Sequence, residues 1–241
     1  MPNAMTRYAI YFTPPRDSLW WQAGCRWLGR DPESGMRKGL PPIAGIAPAL
    51  QVQLTHSARR YGFHATLKAP FHLAQGFDET HLLHRAKEFA LQHYAIEVRQ
   101  PTVDRLGAFL ALRPRVAQTD INALAMQCVS YFDGLRAPPS AHELLRRRQA
   151  GLSVRHEALL LRWGYPFTEE AYRFHMTLTD ALNDIDPQTV LALHTAAQSN
   201  FAEAISTPLV IDSIAVCREA TAGADFEVIA RMPFALSPCN K

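Results

Sequence analysis

The chain has 241 residues, 48% hydrophobic and 20% charged, with a formal net charge of +3 and a pI of about 8.7. That composition can bury a substantial core and excludes a disordered chain. The mild basicity suits an anionic ligand but does not demand nucleic acid, and no apolar run approaches the ~20 residues of a membrane span. Cys25, Cys128, Cys217 and Cys239 are far apart and form no CxxC pair. With no signal-peptide pattern at the N-terminus, they are expected to be reduced thiols in a cytoplasmic protein.

In chain order, "YAIYF" (8–12) predicts a strand that stops at Pro14-Pro15. Trp20, Ala23, Trp27 and Leu28 then fall on one helical stripe, capped by Asp17 or Ser18 and closed by Gly29. Residues 31–50 are rich in Pro and Gly and predict a long loop. "YGFHATLKAPF" predicts a strand. A helix over about 78–92 follows, with Asp78 as its cap and Leu82, Leu83, Ala86, Phe89 and Ala90 facing the core. Residues 95–114 predict two strands. A helix over about 118–132 carries Ile121, Leu124, Cys128 and Phe132 on one face. Ser140 and Glu143 form a capping box that opens a short helix ending at Gly151. "EALLLRWGYP" (157–166) and "RFHMTLT" both predict strands. Asp186 as N-cap with Pro187 behind it opens a helix whose core face is Val190, Leu193, Ala197 and Phe201. Residues 208–219 and 225–236 predict a final strand pair.

One phrase occurs twice: "FHATL" at 63–67 and "FHMTL" at 174–178. Each copy is followed by an Asp-capped helix and two strands, so the repeat is structural. The expected fold is α+β, with two pseudo-symmetric lobes, each an antiparallel sheet flanked by helices, and a central cleft. The whole of 1–241 is expected to be one bilobal domain. Its N-terminal His-x-Thr repeat spans about 55–115, its connector about 133–156 and its C-terminal repeat about 157–236.

Side chains alternate along a strand. His64, Thr66 and Lys68 should therefore share one face, and Arg173, His175, Thr177 and Thr179 the corresponding face of the second copy. A single copy reads blandly as a half-buried strand whose polar face meets water. Two copies at matching places predict a cleft holding two imidazoles, hydroxyls and cations, a donor set that suits phosphate. Two histidines around one phosphate point to general acid–base chemistry, with the threonine hydroxyls on the non-bridging oxygens.

This pattern resembles the two-histidine (2H) phosphoesterase superfamily, over roughly residues 7–236. The phrases "RYGFHATLKAPF" and "LLRWGYPF…YRFHMTLT" are similar to the branch that accompanies bacterial phosphonate-degradation operons. The resemblance implies a metal-independent cyclic phosphodiesterase or related phosphoesterase, acting on a small cyclic phosphodiester such as a ribose cyclic phosphate. It also implies His64 and His175 as catalytic residues and Thr66 and Thr177 as phosphate holders, with no cofactor and no metal. Lys68, Arg173, Thr179, Tyr61 and Tyr172 are candidate substrate contacts. Tyr61 and Tyr172, three residues before each histidine, should point away from the site unless the strand begins late. Tyr8 and Tyr11 point to opposite faces, so at most one can line the cleft.

The expected partner is a small phosphorylated molecule. RNA is possible but not favoured by the charge, and no membrane is expected. An RNA 2′,3′-cyclic phosphodiesterase, a 2′-5′ ligase and a non-catalytic nucleotide- or RNA-binding module are the alternatives. The run Arg146–Arg148 is read as charge on a helix C-terminus, with a lid or RNA contact as its alternative. His81 and His84 are read as a solvated helix face, and the tryptophans as core or interface residues. There is no HExxH, no GxxxxGK and no GxGxxG.

Overall fold

The computed structural model describes residues 6–149 and 151–236; Cys239 lies outside the described residues. The elements, in order, are β1 (Arg7–Phe12), α1 (Leu19–Leu28), α2 (Pro48–Leu54), α3 (His56–Tyr61), β2 (Ala65–Phe71) and α4 (Glu79–Ala90). Then come β3 (Ile96–Val98), β4 (Pro101–Leu106), β5 (Phe109–Pro114), α5 (Thr119–Tyr131), α6 (Ala141–Arg148) and α7 (Val154–Trp163). The chain closes with β6 (Met176–Thr177), α8 (Pro187–Ile205), β7 (Leu209–Ile211), β8 (Ser213–Glu219) and β9 (Phe226–Pro233).

The fold is α+β. A seven-stranded sheet in the order β4-β5-β6-β2-β1-β8-β9 is antiparallel throughout, and β3 and β7 form a second, two-stranded antiparallel sheet. The two His-x-Thr strands, β2 and β6, are neighbours in the middle of the large sheet. The strands that follow each motif in sequence are traded: the β4–β5 hairpin pairs with β6, while β8 and β9 extend the sheet beyond β1. The trade follows from β1, which occupies the other edge of β2 and leaves β6 to receive β5.

Alternate residues of β1 enter two apolar clusters on opposite faces. Ile10 and Phe12 join the main core with the buried faces of α1, α4, α5 and α8. Ala9 and Tyr11 join a smaller cluster with Trp21, Ala215, Cys217, Phe226 and Val228. The caps expected from the sequence form as read. Ser18 accepts the Trp21 N–H, Gly29 closes α1 in the left-handed region at φ 60°, and Asp78, Ser140 and Asp186 cap their helices. Among the described residues no helix is long and apolar enough to cross a membrane.

Three expectations are corrected. Residues 157–166 are not a strand but lie largely in α7. Ser153 caps it by accepting the His156 N–H, Gly164 closes it at φ 73°, and only Leu159 and Leu160 of its apolar run are buried. A short apolar run does not separate strand from helix by periodicity alone. Residues 95–114 hold three strands rather than two, because Gln100, at φ 48°, breaks the run between β3 and β4. The loop expected over 31–50 ends early, as α2 starts at Pro48 and leads through α3 to the first motif.

Candidate active site

The paired motifs build the site through one register. Ala65 of β2 pairs with Met176 of β6, the interior letters of the two phrases. Continuing that antiparallel register puts His64 opposite Thr177 and Thr66 opposite His175, all four on one face. Directly opposed residues have Cβ atoms about 4.5–5.5 Å apart, and diagonal ones about 7–8 Å. The two histidines thus occupy one diagonal of a square and the two threonines the other.

Each imidazole is held the same way. His64 Nδ1 lies 2.8 Å from the Gly62 carbonyl and His175 Nδ1 lies 2.7 Å from the Arg173 carbonyl, in both cases two residues back along the chain. A carbonyl only accepts, so both Nδ1 atoms carry the proton and both Nε2 atoms are left to the site. The Thr66 hydroxyl lies 3.3 Å from His64 Nε2. Gly62 is required for this hold: its φ is 76°, and a Cβ there would come within 2.7 Å of Pro32. Gly24 of α1 is required for another reason, since a Cβ would lie 2.1 Å from the ring of Phe63, which precedes His64.

Contacts between the two halves fix the square. The Tyr172 hydroxyl donates to the Thr66 carbonyl at 3.0 Å. The Asp180 carboxylate accepts the Ser57 and Ala58 N–H groups at the start of α3, and the Asp180 N–H donates to the Leu54 carbonyl. Trp27 Nε1 of α1 donates to the Leu178 carbonyl at 2.9 Å.

The electrostatics are asymmetric. Desolvation lowers the His64 pKa to about 4, against the hydrogen bond to the Gly62 carbonyl, and the nearby His175 lowers it further. The His175 pKa is also lowered, first by desolvation and then by the charge of Arg113, against its own hydrogen bond to the Arg173 carbonyl. Tyr11 stacks on His64 with centroids 3.8 Å apart. Its hydroxyl is buried with no hydrogen-bond partner among the described residues, and burial pushes its pKa well up. Tyr61 lies 6.1 Å from the His64 ring and stacks on Phe226. Phe109 lies 5.5 Å from His175.

The structure therefore brings His64, Thr66, His175, Thr177 and Tyr61 together. Tyr61 reaches the site because it ends α3 and the strand begins only at Ala65, so strict alternation does not apply to it. Of the four other candidates, three are buried and one is exposed. Lys68 is buried on the helix side: Tyr11 pairs with Thr66 but Ile10 with Lys68, so β2 holds an extra residue and a β-bulge turns Lys68 over. Its ammonium donates to the Val129 carbonyl at 3.0 Å and lies 3.4 Å from Asp133, and desolvation lowers its pKa. Thr179 is buried, and its hydroxyl accepts the Leu110 N–H from β5. Tyr172 is buried and uses its hydroxyl on Thr66. Arg173 is exposed, and its Nη1 donates to the Glu170 and Tyr172 carbonyls.

Sequence reading missed Arg113 and left Tyr11 undecided. The pairs Ala111–Thr177 and Leu112–Met176 put Arg113 opposite His175. The period-two pattern of "FLALRP" carried that signal, but only the β5–β6 pairing gives it meaning. Arg146–Arg148 do end α6; Arg147 lies over the Tyr165 ring and Arg148 pairs with Glu157 of α7. Among the described residues no three His, Cys, Asp or Glu side chains gather where they could hold a metal ion.

The family described as "Protein of unknown function (DUF1045)" matches residues 66–227, and the chain belongs to it. A protein of Janthinobacterium sp. (strain Marseille) named "Ribose 1,5-bisphosphate phosphokinase PhnN" is 51% identical over 96% of this chain and 51% of its own length. One of the same name from Laribacter hongkongensis (strain HLHK9) is 36% identical over 92% of this chain and 50% of its own. The chain thus spans about half the length of these curated relatives. Among solved structures, Kluyveromyces marxianus Usb1 is similar over 94% of this chain and 99% of its own, with 9% identity and a TM-score of 0.35. The same protein with uridine monophosphate gives a TM-score of 0.36. A likeness that loose carries no argument about function.

Proposed function

We propose that this family member is a phosphoesterase that uses His64 and His175 as general base and general acid on a small cyclic phosphodiester, without a metal. The observation that carries this is the matched hold on the two imidazoles: each Nδ1–H is committed to a carbonyl, which leaves each Nε2 for chemistry, and the Ala65–Met176 register sets the two rings beside two threonines. Nε2 of neutral His64 takes a proton from water as its oxygen attacks phosphorus. The bond from phosphorus to the ester oxygen breaks, and protonated His175 gives its proton to that leaving oxygen. Thr66 and Thr177 donate to the non-bridging oxygens of the pentacoordinate state.

The asymmetry of the site supports these roles. His64, lowered to about 4, stays neutral, as a base must. His175 is lowered too, and an arriving phosphate monoanion raises it toward the protonated form an acid needs.

The curated relatives are named for a phosphorylated ribose, so a ribose cyclic phosphate is the substrate class we carry over. This sequence has no GxxxxGK phosphate loop, and we assign the kinase step in that name to the half of those proteins that this chain does not span.

The test is hydrolysis of a panel of ribose 1,2-cyclic and nucleoside 2′,3′-cyclic phosphates in the presence of chelator. H64A and H175A should each cost about 10²-fold or more in turnover. The double variant should lose less than the product of the two, because groups acting as a unit are non-additive. Absence of hydrolysis by the wild type across the panel, or activity that EDTA abolishes and a divalent ion restores, overturns the proposal.

A further inference from the structure

The strand order β5-β6-β2-β1 reads the same outward from its middle in both directions, and every neighbouring pair in it is antiparallel. The two-fold relation that exchanges β2 with β6 therefore exchanges β1 with β5. In β1 the residue paired with the motif threonine is Tyr11, opposite Thr66. In β5 it is Ala111, opposite Thr177. Paired residues of an antiparallel ladder point to the same face, so both positions look onto the face of the square. One carries a phenol ring and the other a methyl group.

That ring is used on one histidine only. Tyr11 stacks on His64 with centroids 3.8 Å and planes 28° apart. Phe109, 5.5 Å from His175, is tilted by 43°, and among the described residues no aromatic ring lies flat on His175. Tyr11 is itself fixed: it is buried among Trp21, Ala215, Cys217, Phe226 and Val228. With Nδ1 tied to the Gly62 carbonyl and one face closed by the phenol ring, the His64 imidazole has a single orientation.

The titratable groups facing His64 are His175 across the square, Tyr11 of β1 and Tyr61 of α3, and of these His175 alone acts on it by charge. Arg60, over the Tyr61 ring, and Arg7 are both held by Glu219. Burial keeps the Tyr11 phenol neutral. Its ring face attracts a cation and would favour the imidazolium, whereas the exclusion of water favours the neutral ring. Desolvation is the first cause of the lowered His64 pKa, so exclusion of water wins.

We propose that Tyr11 is the positioning residue that breaks the two-fold symmetry of the site and makes His64 the base, while Ala111 leaves His175 uncovered to serve as the acid. A fixed, poorly hydrated Nε2 is ready to accept a proton. An uncovered imidazole can be solvated when it carries one. The inference rests on the phosphoesterase reading for the two roles, but the hold of Tyr11 on His64 is measured without substrate.

The test follows both imidazoles by NMR of histidine-labelled protein, assigned with H64A and H175A. In the wild type His64 should lose its proton at lower pH than His175, a comparison that needs no variant of Tyr11. Y11A, and Y11T as a strand-forming second choice, should move the His64 titration up by about one pH unit or more and leave that of His175 nearly in place. Y11F keeps the ring and should leave His64 where it is. In hydrolysis Y11A should lower kcat by about tenfold with KM little changed, and should cost nothing further when added to H64A. A ring with a merely structural role would move neither the His64 titration nor that non-additivity. Histidines that titrate together in the wild type, a His64 unmoved in Y11A and Y11T, or a Y11F that moves it as far, overturn the proposal. A selective shift of His64 in a protein that hydrolyses no cyclic phosphate overturns the reaction and leaves the symmetry-breaking role of Tyr11 standing.

Discussion

His64 makes the protein acid-sensitive in a way that can be measured without a substrate. Its pKa is lowered from 6.5 to about 4, chiefly by desolvation. Above pH 6.5 the imidazole is neutral both folded and unfolded and contributes nothing. Below pH 6.5 the unfolded chain takes up a proton that the folded protein refuses until about pH 4. The unfolded state then binds more protons, so stability falls as the pH falls through that window. The window is about 2.5 pH units wide, at about 1.36 kcal/mol per unit, which gives about 3 kcal/mol lost by pH 4. His64→Asn removes the titrating ring and keeps an N–H where Nδ1 donates to the Gly62 carbonyl. Urea unfolding at pH 7.0 and pH 4.5 should show the wild type losing about 2–3 kcal/mol more than H64N between the two conditions. Inorganic phosphate should narrow that difference, because an anion beside the ring favours its protonated form. Equal pH dependence in wild type and H64N would refute the claim that His64 is held neutral by its surroundings.

The same shifts set the pH profile of activity. With His64 as base and His175 as acid, both lowered, kcat/KM should peak on the acidic side of pH 6.5 and fall above it. The kcat profile should sit at higher pH, since bound phosphate raises both groups; coincident profiles centred above pH 7 would contradict the assignment. Tyr11→Phe removes a buried hydroxyl that has no partner among the described residues and keeps the ring that stacks on His64. It should stabilise the protein by about 1–3 kcal/mol, seen as a Tm raised by several degrees, and a lowered Tm would mean the hydroxyl is satisfied. Lys68→Met should cost about 1–2 kcal/mol in urea unfolding, for the lost bond to the Val129 carbonyl, and leave turnover within about twofold. A tenfold loss of phosphate affinity in K68M would return Lys68 to the site.

The sequence by itself determined what depends on neighbours along the chain. Ser18, Asp78, Ser140 and Asp186 cap their helices because a short polar side chain before an apolar stripe satisfies free N–H groups wherever it occurs. The repeated His-x-Thr phrase likewise put His64 with Thr66 and His175 with Thr177, since strand alternation is local. It left open Tyr8 or Tyr11 and which His serves as base, and it misread "EALLLRW" as a strand. Tertiary structure decided the first and the last of these: Tyr11 stacks on His64, and Val154–Trp163 form α7. Residue 65 against 176 turns two separate polar faces into one square, because pairing between strands fixes register across a gap of over a hundred residues. The bulge in β2 sends Lys68 to the helix side, and it is visible only as a mismatch of register with β1. Arg113 becomes a neighbour of His175 through the β5–β6 pairing, which joins strands from different halves of the chain. The His64 pKa, too, is a property of packing: desolvation comes from Tyr11 and the groups around it, and no residue's own identity encodes it.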